Sequence, residues 1–373
     1  MNTAAALRIG ADGSWMRWPS GGLSRYLDGL LHAITDVRAE DEFVIYFNSA
    51  TGPELFAGKA AERFIRTPNR TLWNQIRLPL ALRKDGCDVY LATAIVAPAL
   101  SVIPCIPVIH DCTVFRDPDA KPGREGRYWR RWTRAAVRRA PSVITVSDFV
   151  KGDCESILDV DASRITVIHP GVATRFTSVS DPERAALRAK LSARYGFQET
   201  FLLHVGSYDR HKGAGVVVGA ARRLAARGRS IGLVRCGPNT PDGINDAVVT
   251  NLGRVDDATL IDLYRAAAAV CVSSAQEGFG LPVLEAMACG SPVITTRTGG
   301  IPEAGGAVAV YAESNDPDAF ATTLEAVLDS SPDVEQARRA EGIRWAGTFT
   351  WERAARATLD VVRDVARAAH TGE

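Results

Sequence analysis

A chain of 373 residues is too long for one ordinary domain, and two of roughly 150–200 residues are expected. With 46% apolar and 23% charged residues it has the balance of a packed globular protein, and its formal net charge of +1 excludes a global field that would recruit nucleic acid or a membrane. The seven scattered cysteines form no C-x-x-C pair and no metal-ligand spacing, so they read as reduced core thiols of a cytoplasmic protein. Met1–Gly10 lacks an apolar run behind a basic start, and the longest apolar stretch, Ile95–Ile109, is broken by Pro98, Pro104 and Pro107. That stretch falls short of the ~20 residues a membrane span needs.

In chain order, Leu7–Ala11, Phe43–Phe47, Val89–Leu91, Pro107–Ile109, Val143–Val146 and Thr166–His169 read as short apolar strands. Between the first two, Leu23, Tyr26, Leu27, Leu30, Leu31 and Ile34 recur at the spacing of one buried helix face. Gly171–Pro182 is rich in Thr, Ser and Asp and reads as a linker. A second series follows: strands Phe201–Val205, Ile231–Arg235, Val248–Leu252, Val270–Ser273, Pro292–Thr295 and Val308–Tyr311. Helices are expected from about Gly215, at Asp257–Ala268, at Pro282–Cys289, and then at Asp316–Asp329, Val334–Gly347 and Trp351–Ala369. This alternation predicts an α/β protein of two Rossmann-like domains, residues 1–172 and 176–354, whose parallel sheets face an interdomain cleft. No short-period repeat or low-complexity segment interrupts it.

The segment Glu277-Gly-Phe-Gly-Leu-Pro-Val-Leu-Glu285 lies between a strand and a helix that opens at Pro282, a residue suited to the first helical turn. Glycines ahead of a helix let backbone N–H groups approach an anion, and the helix dipole favours negative charge there. Glu277 in the loop and Glu285 about a turn inside the helix suit two separate sets of hydroxyls. They do not suit a metal, because no third ligand is near. A capped helix with a solvent-facing glutamate satisfies the same pattern, so the context has to decide.

That context resembles retaining glycosyltransferase family 4. The Glu277-x7-Glu285 segment followed by Ala286-Met-Ala-Cys-Gly-Ser-Pro-Val resembles its signature, and eight further stretches match in order. They are Ser20-Gly-Gly22, Val108-Ile-His-Asp111, Ile144-Thr-Val-Ser-Asp148, Val167-Ile-His-Pro-Gly171, Val205-Gly206 with Lys212-Gly213, Gly253-Arg-Val255, Gly299-Gly-Ile-Pro-Glu303 and Phe349-Thr-Trp351. The resemblance covers nearly the whole chain. It implies the GT-B fold, with a C-terminal helix over 355–373 packing back on the N-terminal domain.

It also implies a retaining transfer of a hexose from a nucleoside diphosphate sugar, without a metal or other cofactor. Glu277 would hold hydroxyls of the donor sugar, Glu285 the ribose, and the amides of Gly278, Phe279, Gly280 and Leu281 the sugar and distal phosphate. Lys212 would neutralise the diphosphate. Arg254 and Val255 would lie on the donor, Gly21 and Gly22 near the diphosphate and acceptor, and His110 beside the reacting face of the sugar. The chain departs from the pattern in having Ser207 and His211 where many members have arginine, which leaves Arg210 as the displaced second cation of the clamp. The stretch Asn69–Pro79 and the His110-Asp111 region resemble bacterial mannosyltransferases of polysaccharide biosynthesis. GDP-mannose is therefore the first expected donor and a UDP-hexose the second, with a glycan or lipid-linked acceptor.

Three further patterns need a reading. Asp117-Pro-Asp119 and Asp316-Pro-Asp318 look like D-x-D metal motifs but stand where aspartate favours a turn or a helix start. Arg127, Arg131, Arg134 and Arg138 share one face of the expected helix within Arg124–Arg139, with Trp129, Trp132 and Ala136 on another. That face is either solvated or a peripheral contact with anionic lipid on the inner face of a membrane. A nucleotide-sugar epimerase or hydrolase, or a non-catalytic sugar-nucleotide binder, would share the donor grip. A nicotinamide oxidoreductase would not, because the G-x-G-x-x-G fingerprint is missing.

Overall fold

The computed structural model describes residues 6–17, 21–37, 40–49, 52, 54–56, 58–99 and 101–371. Ser20 of the Ser20-Gly-Gly22 motif lies outside the described residues. The chain divides into two compact units, Met1–Gly171 together with Thr350–Glu373, and Val172–Phe349.

In the first unit seven strands form one sheet: β1 (Arg8–Asp12), β2 (Glu42–Phe47), β3 (Ala61–Phe64), β4 (Val89–Ala92), β5 (Cys105–Ile109), β6 (Val143–Thr145) and β7 (Ile165–Val167). Their order is β3-β2-β1-β4-β5-β6-β7, with every pair parallel. β4 and β5 are buried at every position, as strands covered on both faces must be. The order reverses between β1 and β4, so the crevice for a ligand lies at the carboxyl ends of those strands.

The helix Gly22–Val37 turns Tyr26, Leu27, Leu30, Leu31 and Ile34 inward, the face expected from their spacing. It packs against the last helix, Trp351–Thr371. An ion pair ties that last helix down: Arg363 Nη2 donates to Oδ1 and Oδ2 of Asp41 at 2.9 and 2.8 Å, and the Asp41 side chain is 0% exposed. The same carboxylate accepts from the amide of Leu7 at 3.0 Å, fixing the entry to β1.

The second unit has six strands: β8 (Phe201–Val205), β9 (Gly232–Cys236), β10 (Val249–Asn251), β11 (Ala269–Val272), β12 (Val293–Thr295) and β13 (Val310–Tyr311). They are all parallel in the order β10-β9-β8-β11-β12-β13, which reverses between β8 and β11. Leu202, Leu233, Val249 and Cys271 of the sheet pack against Val217 and Leu224 of one helix and Phe320 and Leu324 of another.

Several elements differ from the expected ones, among them the helix Asp148–Leu158, capped by Ser147 and not expected from the sequence. A helix, Asp181–Tyr195, begins inside the stretch read as a linker, opened by a capping box between Ser180 and Glu183. Residues Arg70–Lys84 are helical, with a π-helical turn at Trp73–Arg77. β3 was not expected, because Ala61-Glu-Arg-Phe64 carries little apolar signal. Among the described residues no helix is long and apolar enough to cross a membrane.

Replacing Arg363 by leucine strands the Asp41 carboxylate in the interior. Urea unfolding is expected to show a loss of about 3–5 kcal/mol, most of it recovered when Asp41 is also made apolar.

Candidate active site

In the second unit the loops after β8 and β11 meet at the point where the strand order reverses. β8 ends at Val205, and beyond Gly206 a single 3-10 turn, Arg210–Lys212, leads to Gly213 in the left-handed region at φ +65°. A β-carbon on Gly213 would lie 1.9 Å from the carbonyl oxygen of Ser273, so only glycine fits there. The contact is closed by Ser273 Oγ donating to the Gly213 carbonyl at 2.7 Å and by the Ala275 amide donating to the His211 carbonyl at 2.8 Å. Two loops far apart in sequence thereby become one surface.

On that surface Lys212 Nζ donates to Glu277 Oε2 at 2.7 Å, with 29% and 19% of the two side chains exposed. The two residues expected to grip different parts of a ligand therefore hold each other. The backbone of Glu277 is held as well, since the Gly300 amide donates to its carbonyl at 2.9 Å. A β-carbon at residue 300 would approach the Gly278 carbonyl oxygen to 2.2 Å, so the Gly299-Gly300 turn presses directly on the Glu277-Gly278 peptide. Gly280, at φ +117°, then opens the helix Leu281–Ala288, with Pro282 in its first turn and no side chain capping it. Phe279 is buried, 5.8 Å from the Phe349 ring. The N-cap is a glycine, so its own side chain cannot cap the helix, and the helix dipole there favours an anion.

Glu285 is 3% exposed, and its Oε2 accepts from the hydroxyl of Tyr264 at 3.0 Å. Sequence reasoning missed Tyr264, which reads simply as an apolar position of the helix Asp257–Ala266. It also missed Arg235, the only charge in an otherwise apolar strand. Arg235 is 0% exposed and donates to the Gly206 carbonyl at 3.1 Å, to Thr240 Oγ1 at 3.1 Å and to Asn251 Oδ1 at 3.3 Å. Its guanidinium lies 4.7 Å from the Tyr208 ring centre. Burial, and then the charge of Arg235, push the His204 imidazole down to about 3, so it stays neutral beneath the loop. Arg210 and Arg254 are exposed and Val255 is half-buried, and the loop carrying the latter two is tied in by the Gly237 amide on the Gly253 carbonyl at 2.8 Å.

In the first unit the carboxyl ends of β1, β4 and β5 are linked in series. Thr93 Oγ1 donates to the Asp12 carbonyl at 2.6 Å, and His110 Nε2 lies 2.7 Å from the Thr93 carbonyl. A carbonyl only accepts, so Nε2 carries the hydrogen and Nδ1 is left as an acceptor. Burial holds the His110 pKa below its ordinary value, against the opposing pull of the Thr93 bond and Asp111. Tyr26 stands edge-on to His110 at 4.5 Å and to Trp351 at 5.5 Å, which fixes the plane of the imidazole. Asp111 accepts from the Thr113 amide at 2.8 Å and secures the loop. Gly21 and Gly22 are exposed at the start of their helix, where Ser24 Oγ bonds both the amide and the carbonyl of Gly21 at 3.0 Å.

Asp12 was not expected in a site, although a lone carboxylate ending an apolar strand is a readable signal. It is 3% exposed and accepts from the Ser14 amide at 2.8 Å. Burial raises its pKa to about 6, against the lowering effects of Ser14 and Arg70. Both D-x-D patterns are capping groups: Asp117 accepts from the Asp119 amide, and Asp316 from the amides of Asp318 and Ala319. On the helix Gly123–Arg139, Trp129 and Ala136 are buried while Trp132 is half-buried under Arg131, so the inward face is narrower than expected.

Residues 20–176 match the model of Glycosyltransferase Family 4, and residues 199–330 that of Glycosyl transferases group 1. The chain is similar to the O-antigen chain mannosyltransferase B of Escherichia coli, 26% identical over 69% of this chain and 70% of that protein. It is also similar to the D-inositol 3-phosphate glycosyltransferase of Corynebacterium jeikeium (strain K411), 30% identical over 73% of this chain and 69% of that protein. Matches to six further D-inositol 3-phosphate glycosyltransferases cover 48–64% of their lengths. Among solved structures, Anabaena Alr3699/HepE in complex with UDP and glucose aligns at a TM-score of 0.72, 18% identical, over 96% of this chain and 99% of that one.

The buried Asp12 carboxyl holds its proton more tightly in the folded than in the unfolded chain. Its contribution to stability therefore falls as pH rises from about 4 to about 6, and the deficit is complete above that. Asp12→Asn keeps an oxygen for the Ser14 amide and removes the deficit. Thermal unfolding is expected to show a gain of about 1–3 kcal/mol at pH 7.5 and a much smaller one at pH 4.5.

Proposed function

This chain belongs to glycosyltransferase family 4 and has its GT-B fold, and from that premise we propose that it transfers a hexosyl group from a nucleoside diphosphate sugar to an acceptor hydroxyl with retention of configuration. The observation that carries the reading is the Lys212–Glu277 pair on the joined β8 and β11 loops, beside a helix that opens at Gly280. A partly exposed pair of this kind is worth at most ~1 kcal/mol, so it exchanges partners readily. A diphosphate takes Lys212, and the released Glu277 carboxylate accepts from hydroxyls of the donor sugar. Gly278, Phe279, Gly280 and Leu281 offer backbone amides to the distal phosphate, with Glu285 beneath for the ribose and Arg254 and Val255 flanking the nucleotide. Arg210 sits on the same turn as Lys212 and is the candidate second cation of the clamp.

In this reading catalysis rests on position and charge. Lys212 and the helix start stabilise the leaving diphosphate without a metal. The bond from the anomeric carbon to the diphosphate oxygen breaks while the acceptor oxygen approaches the same face. The departing phosphate oxygen takes the acceptor proton. His110, neutral and oriented by Thr93 and Tyr26, lines the reacting face, with Gly21 and Gly22 at the edge of the acceptor path. GDP-mannose is the first candidate donor, supported by the likeness to a mannosyltransferase. A UDP-hexose is the second, supported by the structural neighbour solved with UDP and glucose.

Screening GDP- and UDP-sugars by thermal shift and assaying the stabilising one for turnover tests the donor. Glu277→Ala is expected to lower transfer by about a hundredfold or more while the protein stays folded. Near-normal turnover in that variant overturns the assignment.

The exposed Arg124, Arg127, Arg131, Arg134, Arg138 and Arg139 of one helix support a peripheral contact with anionic lipid, which would bring a lipid-linked acceptor to the protein. Co-sedimentation with anionic vesicles is expected, weakened when Arg127 and Arg131 become glutamine. Failure of the wild-type chain to sediment removes this part of the reading.

A further inference from the structure

The first unit carries a second cluster beside the Asp12–Thr93–His110 series. The guanidinium of Arg70 lies 5.2 Å from the ring centre of Trp15, 5.7 Å from that of Tyr128 and 5.3 Å from that of Trp129. Trp15 and Trp129 are 6.3 Å apart, and Tyr128 meets Trp129 edge-on at 5.6 Å. Arg70 is exposed, and Trp15 and Tyr128 are half-buried, so the group opens to solvent. Beneath it Asn74, 5% exposed, reaches Tyr128 Oη with Nδ2 at 3.5 Å, while its buried Oδ1 has no hydrogen-bond partner. The Asp12 carboxylate is near enough to act on Tyr128 and to be acted on by Arg70.

The cluster has the composition of a ligand site rather than of a core. An arginine stacked among rings spends its faces on π contacts and keeps its N–H edge for oxygen acceptors. Half-buried tryptophan and tyrosine offer flat apolar faces that dry on contact, and a buried amide oxygen without a donor asks for one. The charges balance locally: Arg70 against Asp12, and Lys121, stacked on Trp129, against Glu125 at 3.6 Å. A phosphate here would be repelled by the Asp12 carboxylate, whereas a neutral polyol would not be and could donate hydroxyls to it.

We propose that Trp15, Arg70, Asn74, Tyr128 and Trp129 with Asp12 form the acceptor subsite, and that the acceptor end it takes is an uncharged saccharide. The ring stacks on Trp15 and Tyr128, and its hydroxyls donate to Asp12 and Asn74 Oδ1 and accept from Arg70. The link through Thr93 places this subsite next to His110. The word acceptor rests on the transferase reading, but binding of a saccharide does not, so the two are tested apart.

The test is binding of the full chain, with GDP or UDP present, to an array of glycans with neutral hexose, deoxyhexose and N-acetylhexosamine ends and with inositol phosphate. Wild type is expected to bind at least one neutral glycan. Trp15→Ala and Arg70→Gln are each expected to weaken it at least tenfold, with Trp15→Phe retaining it and the nucleotide-induced rise in melting temperature unchanged in all three. Should Trp15→Ala fail to fold, the exposed Arg70→Gln variant carries the test. Binding to inositol phosphate alone, to no glycan, or equally well in the variants overturns the subsite. Glycan binding lost in the variants but with no sugar transferred by wild type keeps the subsite and overturns the transferase reading instead.

Discussion

The backbone of Gly213 rests on the carbonyl of Ser273 with no room for one more carbon atom, and the chemistry of the second unit depends on that contact. It is made where β8 and β11, neighbours in the sheet but far apart in sequence, release their chains at the same edge. Because the two loops touch, Lys212 from one and Glu277 from the other fall within a single hydrogen bond. The Gly299-Gly300 turn repeats the device from a third strand end by pressing on the peptide that follows Glu277. Each glycine costs conformational entropy on folding, roughly 0.5–1 kcal/mol relative to alanine in regular structure. Here that cost is set against a surface whose polar groups do not have to be gathered when a ligand arrives.

Charges are layered in depth around that surface. Lys212 and Glu277 lie at the top and can exchange partners. Arg235 lies below, entirely buried, spending its hydrogen bonds on a carbonyl, a hydroxyl and an amide rather than on a carboxylate. No described carboxylate neutralises it, so its field adds to that of Lys212 beneath the Gly206 loop, and His204 is kept neutral in part by the same field. The first unit uses the opposite arrangement, a buried carboxylate at the end of β1 whose charge costs stability. Buried charges of both signs thus stand near strand ends, Asp12 at the end of β1 and Arg235 near the end of β9.

Much of this was legible in the sequence. The β–α alternation carries both parallel sheets, and the 22–37 helix face follows from the spacing of Tyr26, Leu27, Leu30, Leu31 and Ile34. Glu277, Lys212 and the glycines around them stand out because strand-end loops that approach an anion need those residue types. Other features were hidden for physical reasons. The helix Asp181–Tyr195 is amphipathic but polar, with only Arg184 and Leu191 buried, so its capping box was the better signal. β5 begins at Cys105, two residues ahead of Pro107, because a proline inside a strand masks its start. Tyr264 and Asn74 look like ordinary helix positions until the fold sets them under Glu285 and Tyr128. Pairing of Lys212 with Glu277 depends on the order of strands, which no local pattern encodes.

The chain leaves the first unit at Gly171 and returns to it only at Thr350. The Asp41 carboxylate and the inward face of the 22–37 helix therefore wait for Arg363 and the last helix until all of Val172–Phe349 has been synthesised. The second unit is continuous in sequence, whereas the first needs the last helix to cover the Asp41 carboxylate. The part made earliest is the part completed last, because the segment that closes it comes at the far end of the chain.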